Sequence, residues 1–600
     1  MEQSNIEKLR QAMQEASVQA VIVPLTDPHC GEYTPDHWKT LQWLSGFTGS
    51  AGMLVVTCDK AGLWTDSRYF LQADEQLQNT GIALFKAGLP DTPSHEAWLT
   101  DELSAGDTIG IEGEVFAASQ ARSLLNYFEK KRITVKTDFT PYNIWWENRP
   151  EIPLNKAFIL PEHFTGESVR SKIQRLREAL HAQKATCTVL AALDSIAWLF
   201  NLRGSDIRYN PVAVSYAFVS DTEAVLFIDF RKLTDEVKDY LQGEGVTLAE
   251  YDAMDAFVGA TFAVARNDSP VVLIAPNKVN YHLYHGIAGQ ARNDDSNRGI
   301  AGQARNDGSN RGIAGRVIEV DVHPIDRMKA IKNEVEIAGF RNAMQRDEVA
   351  LVKFEAWLRQ QLADSQVVTE LDVSRKLLEL RSEQDYFVSE SFETIAAYGA
   401  HGAIVHYAPT PESNARILPE GLLLVDSGAH YLDGTTDLTR TIAVGAVTDE
   451  MKRDFTMLLK GHIALARAKF PKGTVGMQLD ILARQFIWQD GQNYLHGTGH
   501  GVGHCLNVHE GPQSIRMNYN PTPIEPGMLT SNEPGIYKAG RYGIRIENLL
   551  LCIPAATTEF GEYYQFETLT RCPIDKSLVD TGLLTKEEAE WLQKIEKQSP

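Results

Sequence analysis

The sequence predicts a mixed α/β chain (α/β with α+β character) built from three or more units, on three observations. Its 600 residues are too many for one core at roughly 100–200 residues per domain. From the N-terminus to about residue 137, apolar strands alternate with amphipathic helices, the order of an α/β domain. Past Lys332 the pattern changes to long amphipathic helices separated by β-branched strands, and these strands hold nearly all the unusual polar residues.

Taken in order, residues 5–18 read as a helix, followed by an apolar strand at Ala20–Pro24. Strands at Met53–Thr57 and Gly62–Asp66 come next, the second running into Asp66-Ser-Arg68-Tyr69. Pro141–Pro153, with Trp145, Trp146 and three prolines, reads as a linker. A helix at Ser168–Gln183 and an apolar strand then reopen the theme. The run Trp198 to Ser205 repeats the Trp-Leu-x4-Gly-Ser of Trp43 to Ser50, 155 residues on. The shared order of elements around both copies indicates two related domains. The expected boundaries are 1–150, 151–328 and 329–600. Within the second, Gly286–Arg298 is followed by a near-identical copy at Gly299–Arg311 and then by 312–315. Rich in Gly, Asn, Asp, Arg and Ser, the 286–315 segment is expected to be an inserted, mobile surface loop. In the last unit, helices are expected at Glu334–Leu362, Thr369–Gln384, Thr448–Phe470 and Gly476–Gly491.

Composition excludes some classes. Hydrophobic content of 43% and charged content of 23% are those of a globular protein. A net charge of −21 argues against nucleic acid and membrane surfaces as partners, since both reward a basic patch. No apolar run approaches the ~18 residues of a membrane helix, and the N-terminal residues lack the apolar core of a signal peptide. Six cysteines without a Cys-x-x-Cys pair fit a reducing, cytoplasmic setting.

The chemistry gathers around His496-Gly-Thr-Gly-His500-Gly-Val-Gly-His504, continued by Asn507-Val-His509-Glu-Gly. Alternating glycines at about 1 kcal/mol each rule out a helix. As a strand, one face carries His496, Thr498, His500, Val502 and His504, and the other is bare glycine that lets another backbone or a ligand approach. Upstream, Leu422 to Thr441 reads as a strand, a turn near Leu432–Gly434 and a returning strand that sets Asp426 opposite Asp437. Facing carboxylates repel unless protonated or bridged by a cation; solvated aspartates on an exposed hairpin are the alternative. Downstream, Glu533 ends one strand, and Arg545 and Glu547 share a face of the next. All five of Asp426, Asp437, His500, Glu533 and Glu547 are expected to project from strands. Four carboxylates and one imidazole suit a pair of divalent ions such as manganese or cobalt, able to supply a hydroxide at neutral pH.

These phrases, with Asp433-Gly-Thr-Thr-Asp437-Leu-Thr-Arg440-Thr, Asn532-Glu533-Pro-Gly and Gly543-Ile-Arg545-Ile-Glu547-Asn, resemble the pita-bread metallopeptidases. They look most like the long, three-domain Xaa-Pro aminopeptidases, and the likeness covers essentially the whole chain outside 286–315. The resemblance implies two creatinase-like N-terminal domains followed by a pita-bread catalytic domain. It implies that Asp426 chelates one metal, that Asp437 and Glu547 bridge both, and that His500 and Glu533 complete the other. It gives Glu533 the role of general base and His406 that of holding substrate and stabilising the tetrahedral intermediate. His496 and His509 would contact the peptide around proline, and Arg545 would position substrate or hold Glu547. Arg68 matches an arginine that reaches a neighbouring subunit's site, which implies a homodimer. His504 has no assigned role.

The expected activity is hydrolysis of the first peptide bond of peptides with proline second, dependent on two divalent ions (manganese first, cobalt or zinc as alternatives). The alternatives are a prolidase, which confines the chemistry to Xaa-Pro dipeptides, and an inactive scaffold of the same fold.

Overall fold

The computed structural model describes residues 4–262, 270–292, 312–313 and 317–597. The chain divides into two units, the first formed by Met1–Ile159, Glu167–Arg208 and Val212–Ile325, the second by Leu160–Gly166, Tyr209–Pro211 and Asp326–Pro600.

The first unit contains two sheets of one topology. The N-terminal sheet runs Ala83–Lys86, Ala61–Thr65, Met53–Thr57, Ala20–Pro24, Thr108–Gly110, Thr134–Lys136. The next runs Thr247–Ala249, Ala224–Ile228, Ser215–Ser220, Cys187–Leu190, Val272–Ile274, Val317–Glu319, with Gly312–Ile313 added at its edge. In both, the successive pairings are parallel, antiparallel, antiparallel, parallel and parallel. The repeated Trp-Leu sits in the same place in each copy, on the helix between the first and second strands, Thr40–Ser45 and Leu193–Leu199. The central Ala20–Pro24 is buried at every residue, as a strand covered on both faces must be.

Two expectations are corrected here. Pro141–Pro153 is not a bare linker: it holds the short helix Tyr142–Trp145. Trp146 stacks on Trp43 with ring centroids 4.7 Å apart, because large aromatic surfaces are more stable packed than hydrated. The repeat segment does not begin as a loop. Gly286–Arg292 continues the helix Tyr281–Arg292, since Ile287 and Ala288 fit the apolar cluster under the second sheet. Gly312–Ile313 is a strand at that sheet's edge. The rest of 286–315 lies outside the described residues.

In the second unit four long helices follow the apolar periodicity: Glu334–Ala363, Glu370–Ser382, Asp449–Ala466 and Gly476–Gln489. Asn333 and Thr369 cap the first two, each paired with an acidic residue three positions on, so orphan N–H groups are satisfied at both ends of the exchange. The helices pack on short antiparallel sheets. One runs Ile395–Tyr398, Leu422–Ser427, Leu438–Ala443, and another Lys469–Pro471, Gly561–Thr568, Asn548–Thr558, Leu529–Asn532. One apolar cluster, including Phe340, Leu423, Val425, Leu438, Leu529 and Leu549, lies beneath the strands that carry the carboxylates. Among the described residues no helix is long and apolar enough to cross a membrane.

Candidate metal centre

Five chain segments of the second unit converge on one buried polar spot. Asp426 lies in Leu422–Ser427 and His500 in Gly499–Gly501. Asp437, Glu533 and Glu547 do not project from strands as expected; each occupies the short break at a strand end. At Glu533 the cause is Pro534, which has no N–H to continue the ladder. The neighbouring strands still hold all three in place. The register also differs from expectation: Asp426 pairs with Thr439 and Ser427 with Leu438. Asp437 therefore stands two residues before the partner of Asp426. The strand breaks at Gly428, and Ala429–Tyr431 folds into a separate small hairpin with Gly434–Thr435.

The histidine run is extended only at Gly499–Gly501, and a bulge falls between His500 and Gly501. It then turns, with Cys505 at φ 47°, so the expected single face ends before His504. That residue is buried, its ring 5.6 Å from Phe340. The bare glycines do serve close approach. A Cβ at Gly499 would lie 2.0 Å from the Ser531 carbonyl oxygen, and one at Gly501 2.4 Å from that of Glu510.

His500 is aimed by its backbone. Its Nδ1–H donates to Gly501 O at 2.8 Å, which turns Nε2 toward Asp437 Oδ2 at 3.4 Å and Glu533 Oε1 at 3.3 Å. Ligand atoms of Asp437, His500 and Glu547 lie within 4.8 Å of one another. Thr439 Oγ1 donates to Glu547 Oε2 at 2.8 Å, and Ser531 Oγ donates to Glu533 Oε1 at 3.1 Å. Arg545, expected to hold Glu547 or position substrate, grips Asp426 Oδ2 rather than Glu547, from Nη2 at 2.5 Å and Nε at 3.1 Å. Arg545 Nε also donates to Thr439 Oγ1 at 3.2 Å, so Thr439 links the arginine to Glu547. Arg545 Nη1 also donates to Tyr537 Oη at 2.8 Å. His496 Nδ1–H donates to Gly497 O at 2.7 Å, so its Nε2 accepts from Tyr537 Oη at 2.8 Å.

The electrostatics call for positive charge. Burial, then the charges of Asp437, Asp426 and Glu533, push the Glu547 carboxyl well up. Burial raises Asp426 to about 6 against the pull of Arg545. Glu533 is pushed up by burial, yet the hydrogen bond and charge of His500 hold it at about 2. Burial opposes charge on His500, but hydrogen bonds to Asp437 and Glu533 raise it well above the usual imidazole range. His496 is lowered to about 4 by burial and is neutral at pH 7. Asp426 Oδ1 and Glu547 Oε1 are buried without a hydrogen-bond partner among the described residues. Orphaned buried carboxylate oxygens are costly, and bound cations remove that cost. The donor set, oxygen-rich with one imidazole, fits hard divalent ions.

The remaining expected residues are placed as follows. His509 packs edge-on to His500, with centroids 4.4 Å apart. His406 is half-buried, and the preceding Val405 O accepts from Arg545 Nη1 at 3.3 Å. Arg68 belongs to the first unit, where Asp66 and Glu32 pair with it. Sequence reasoning missed Tyr537, Thr439 and Ser531, which orient the centre; single hydroxyls carry no spacing signal. It also missed the buried Asp480–Arg484 pair, in which Asp480 accepts from Thr498 and Arg484 donates to the carbonyls of Tyr494 and His496.

Comparison with known proteins agrees with this architecture. Residues 338–554 match the model of metallopeptidase family M24, and 562–598 match the C-terminal region of peptidase M24. The creatinase/prolidase N-terminal domain is matched twice, over 5–139 and 148–336. A probable Xaa-Pro aminopeptidase P of Sordaria macrospora is 41% identical over 98% of this chain and 93% of its own length. Aminopeptidase P2 of Arabidopsis thaliana is 42% identical over 96% of this chain and 82% of its own. The crystal structure of an X-prolyl aminopeptidase from Caenorhabditis elegans, described as a cytosolic enzyme with a di-nuclear active site, superimposes with a TM-score of 0.89 at 34% identity. That match covers 98% of this chain and 94% of the other. A Bacillus anthracis Xaa-Pro dipeptidase, at 23% identity with a TM-score of 0.51, covers 68% of this chain and 99% of its own, and shares the fold alone. The chain belongs to metallopeptidase family M24, in the form that carries two creatinase/prolidase N-terminal domains ahead of a pita-bread catalytic domain.

Proposed function

We propose that the protein is a metal-dependent Xaa-Pro aminopeptidase that releases the N-terminal residue from peptides with proline in second position. One observation carries the reading: Asp437, His500 and Glu547 cluster at a buried spot, with Glu533 beside His500 and Asp426 within reach of their charge, where Asp426 Oδ1 and Glu547 Oε1 have no partner among the described residues. The near-full-length relatives named as aminopeptidases support this specificity over that of a prolidase.

In this reading Asp426, Asp437, His500, Glu533 and Glu547 hold two divalent ions, manganese first and cobalt or zinc as alternatives. When bound, such ions supply Lewis acidity and bring water ionisation near neutral pH. Glu533 takes the proton of the attacking water and returns it to the leaving proline nitrogen. That return is needed because the scissile amide is tertiary: it has no N–H, and the ring fixes its φ. His406 donates to the oxygen of the tetrahedral intermediate. His496 and His509 hold the peptide on either side. His496 suits this as a neutral ring steadied by Tyr537.

The setting is cytoplasmic, in keeping with six cysteines that form no Cys-x-x-Cys pair, and the assembly is a homodimer. Met477, Ile481 and Trp488 stand exposed on the helix Gly476–Gln489, an apolar face that a second copy would cover. Arg68 is the first-domain arginine expected to serve a neighbouring site. Removing metal with chelator and restoring manganese, cobalt or zinc, with Arg-Pro-Pro as substrate, tests the reading. Cleavage of Xaa-Pro-Pro without cleavage of Xaa-Pro separates aminopeptidase from prolidase.

A further inference from the structure

A buried carboxylate outside the metal centre organises the loop that carries His406. Glu370 is the first residue of the helix Glu370–Ser382 and is wholly buried. Its Oε1 accepts from the backbone N–H of Tyr398 at 2.7 Å and from His401 Nδ1–H at 2.8 Å. Its Oε2 accepts from Tyr407 Oη and from the N–H of Ala415, both at 2.8 Å. An ionised carboxylate offers about four acceptor positions, and these donors fill them. The position at a helix N-terminus favours the negative charge.

The donors are spread along one segment. Tyr398 and Ala415 fix its two ends by their backbone, while His401 and Tyr407 fix its middle by side chains stacked 4.4 Å apart. Two further bonds, Glu370 N–H to Ala415 O and Leu371 N–H to Asn414 Oδ1, both at 3.1 Å, dock the segment's far end to the helix start. The same loop is gripped from the side of the metal-ligand strands. Gly402 meets Gly543 so closely that a Cβ on Gly543 would lie 1.6 Å from Gly402 O, and Arg545 holds Val405 O. His406 sits directly between these two clamps, next in sequence to both Val405 and Tyr407. Apart from the short turn Gly399–Ala403 the segment between Tyr398 and Ala415 has no helix or strand, so its shape depends on such anchors.

We propose that Glu370 is a positioning residue for the hydrolytic reaction, acting through the His406 loop. The inference rests on the reading of His406 as a substrate-holding group. Glu370→Gln keeps the shape but turns an NH2 toward a backbone N–H, that of Tyr398 or of Ala415, which can only donate, so the clamp loses that bond and the neighbouring His401 or Tyr407 must reverse its role.

The test is steady-state kinetics on Xaa-Pro-Pro with metal-loaded Glu370→Gln, His406→Ala and the double variant, together with amide hydrogen exchange of each full chain. Glu370→Gln is expected to lower kcat about tenfold or more, to change KM less, and to leave metal content unchanged. Exchange is expected to rise in 399–408 and not in 422–427. In the His406→Ala background, Glu370→Gln is expected to cost no more than about twofold in kcat. Losses that multiply in the double variant overturn the role of Glu370 alone, as does a Glu370→Gln kcat equal to the parent's. Unchanged turnover in His406→Ala contradicts the reading of His406 and removes this inference with it. Tyr407→Phe deletes one donor and is expected to show the same signs with smaller size, which keeps the test available if Glu370→Gln folds poorly.

Discussion

His500 Nε2 lies 3.3 Å from Glu533 Oε1, and this pair joins the strand of alternating glycines to the segment that ends at Pro534. In the metal-free chain the hydrogen bond and charge of His500 hold this glutamate low, at about 2, despite its burial. Replacing Glu533 by Gln removes the proton acceptor while keeping size. A kcat loss of about 10²–10⁴-fold is expected, measured on Xaa-Pro-Pro with metal in excess; activity near that of the parent would contradict the general-base role.

Arg545 places a buried positive charge on Asp426, and its loss leaves that carboxylate without the donors at 2.5 and 3.1 Å. Arg545→Met is expected to weaken metal affinity about 10–100-fold, read by competition with a calibrated chelator. Tyr537→Phe keeps that ion pair and removes the hydroxyl that Arg545 Nη1 and His496 Nε2 share, so KM is expected to move more than metal affinity.

The glycine at 499 leaves no room for a side chain, since a Cβ would lie 2.0 Å from the Ser531 carbonyl oxygen. Gly499→Ala pushes the His500 strand off its neighbour. A stability loss of about 1–3 kcal/mol is expected from overpacking, with a lower metal affinity, measured by denaturant unfolding of metal-free protein and by metal titration. An unaltered midpoint would contradict the close packing.

How much of this was legible in the sequence varies with the kind of interaction. The duplicated sheet topology was visible because Trp43-Leu44 and Trp198-Leu199 hold one place in the element order, and local order survives divergence. The grouping of Asp426, Asp437, His500, Glu533 and Glu547 was legible in the motif phrases around them and their resemblance to the pita-bread metallopeptidases, although Asp437, Glu533 and Glu547 stand at strand ends and not within strands. The details that escaped are tertiary. The two-residue offset of Asp437 from the partner of Asp426 goes with the strand break at Gly428 and the small hairpin after it, and the grip of Arg545 on Asp426 joins segments 119 residues apart. The end of the extended histidine run depends on Cys505 taking a left-handed turn, which no propensity favours for cysteine. The first residues of the repeat read as loop by composition, yet two of them, Ile287 and Ala288, were enough to hold the helix on its sheet.

A pH effect on stability arises away from the centre, at Glu348. Burial pushes its carboxyl up from an ordinary 4.5 to about 7. The folded chain therefore binds more protons than the unfolded one between these values. The stabilising contribution is full below pH 4.5 and is lost as pH rises through 7, a change of at most about 3 kcal/mol. Glu348→Gln is expected to flatten the slope of stability against pH in that window, measured by urea unfolding at several pH values. An unchanged slope would contradict the burial of an acidic group there.

The apolar face at Met477, Ile481 and Trp488 gives the homodimer a direct test. Placing negative charge on it by Ile481→Glu with Trp488→Glu is expected to shift sedimentation from dimer to monomer without unfolding. A monomeric parent, or a double variant that remains dimeric, would contradict self-association through this face.

Counting bound metal while following hydrolysis of Arg-Pro-Pro, on protein stripped by chelator and titrated with manganese, cobalt and zinc, probes the centre most directly. The expected result is two ions per chain, with activity absent in the stripped protein and restored as the sites fill. Failure of every metal to restore cleavage, or full activity in the stripped protein, would contradict a metallopeptidase built on Asp426, Asp437, His500, Glu533 and Glu547.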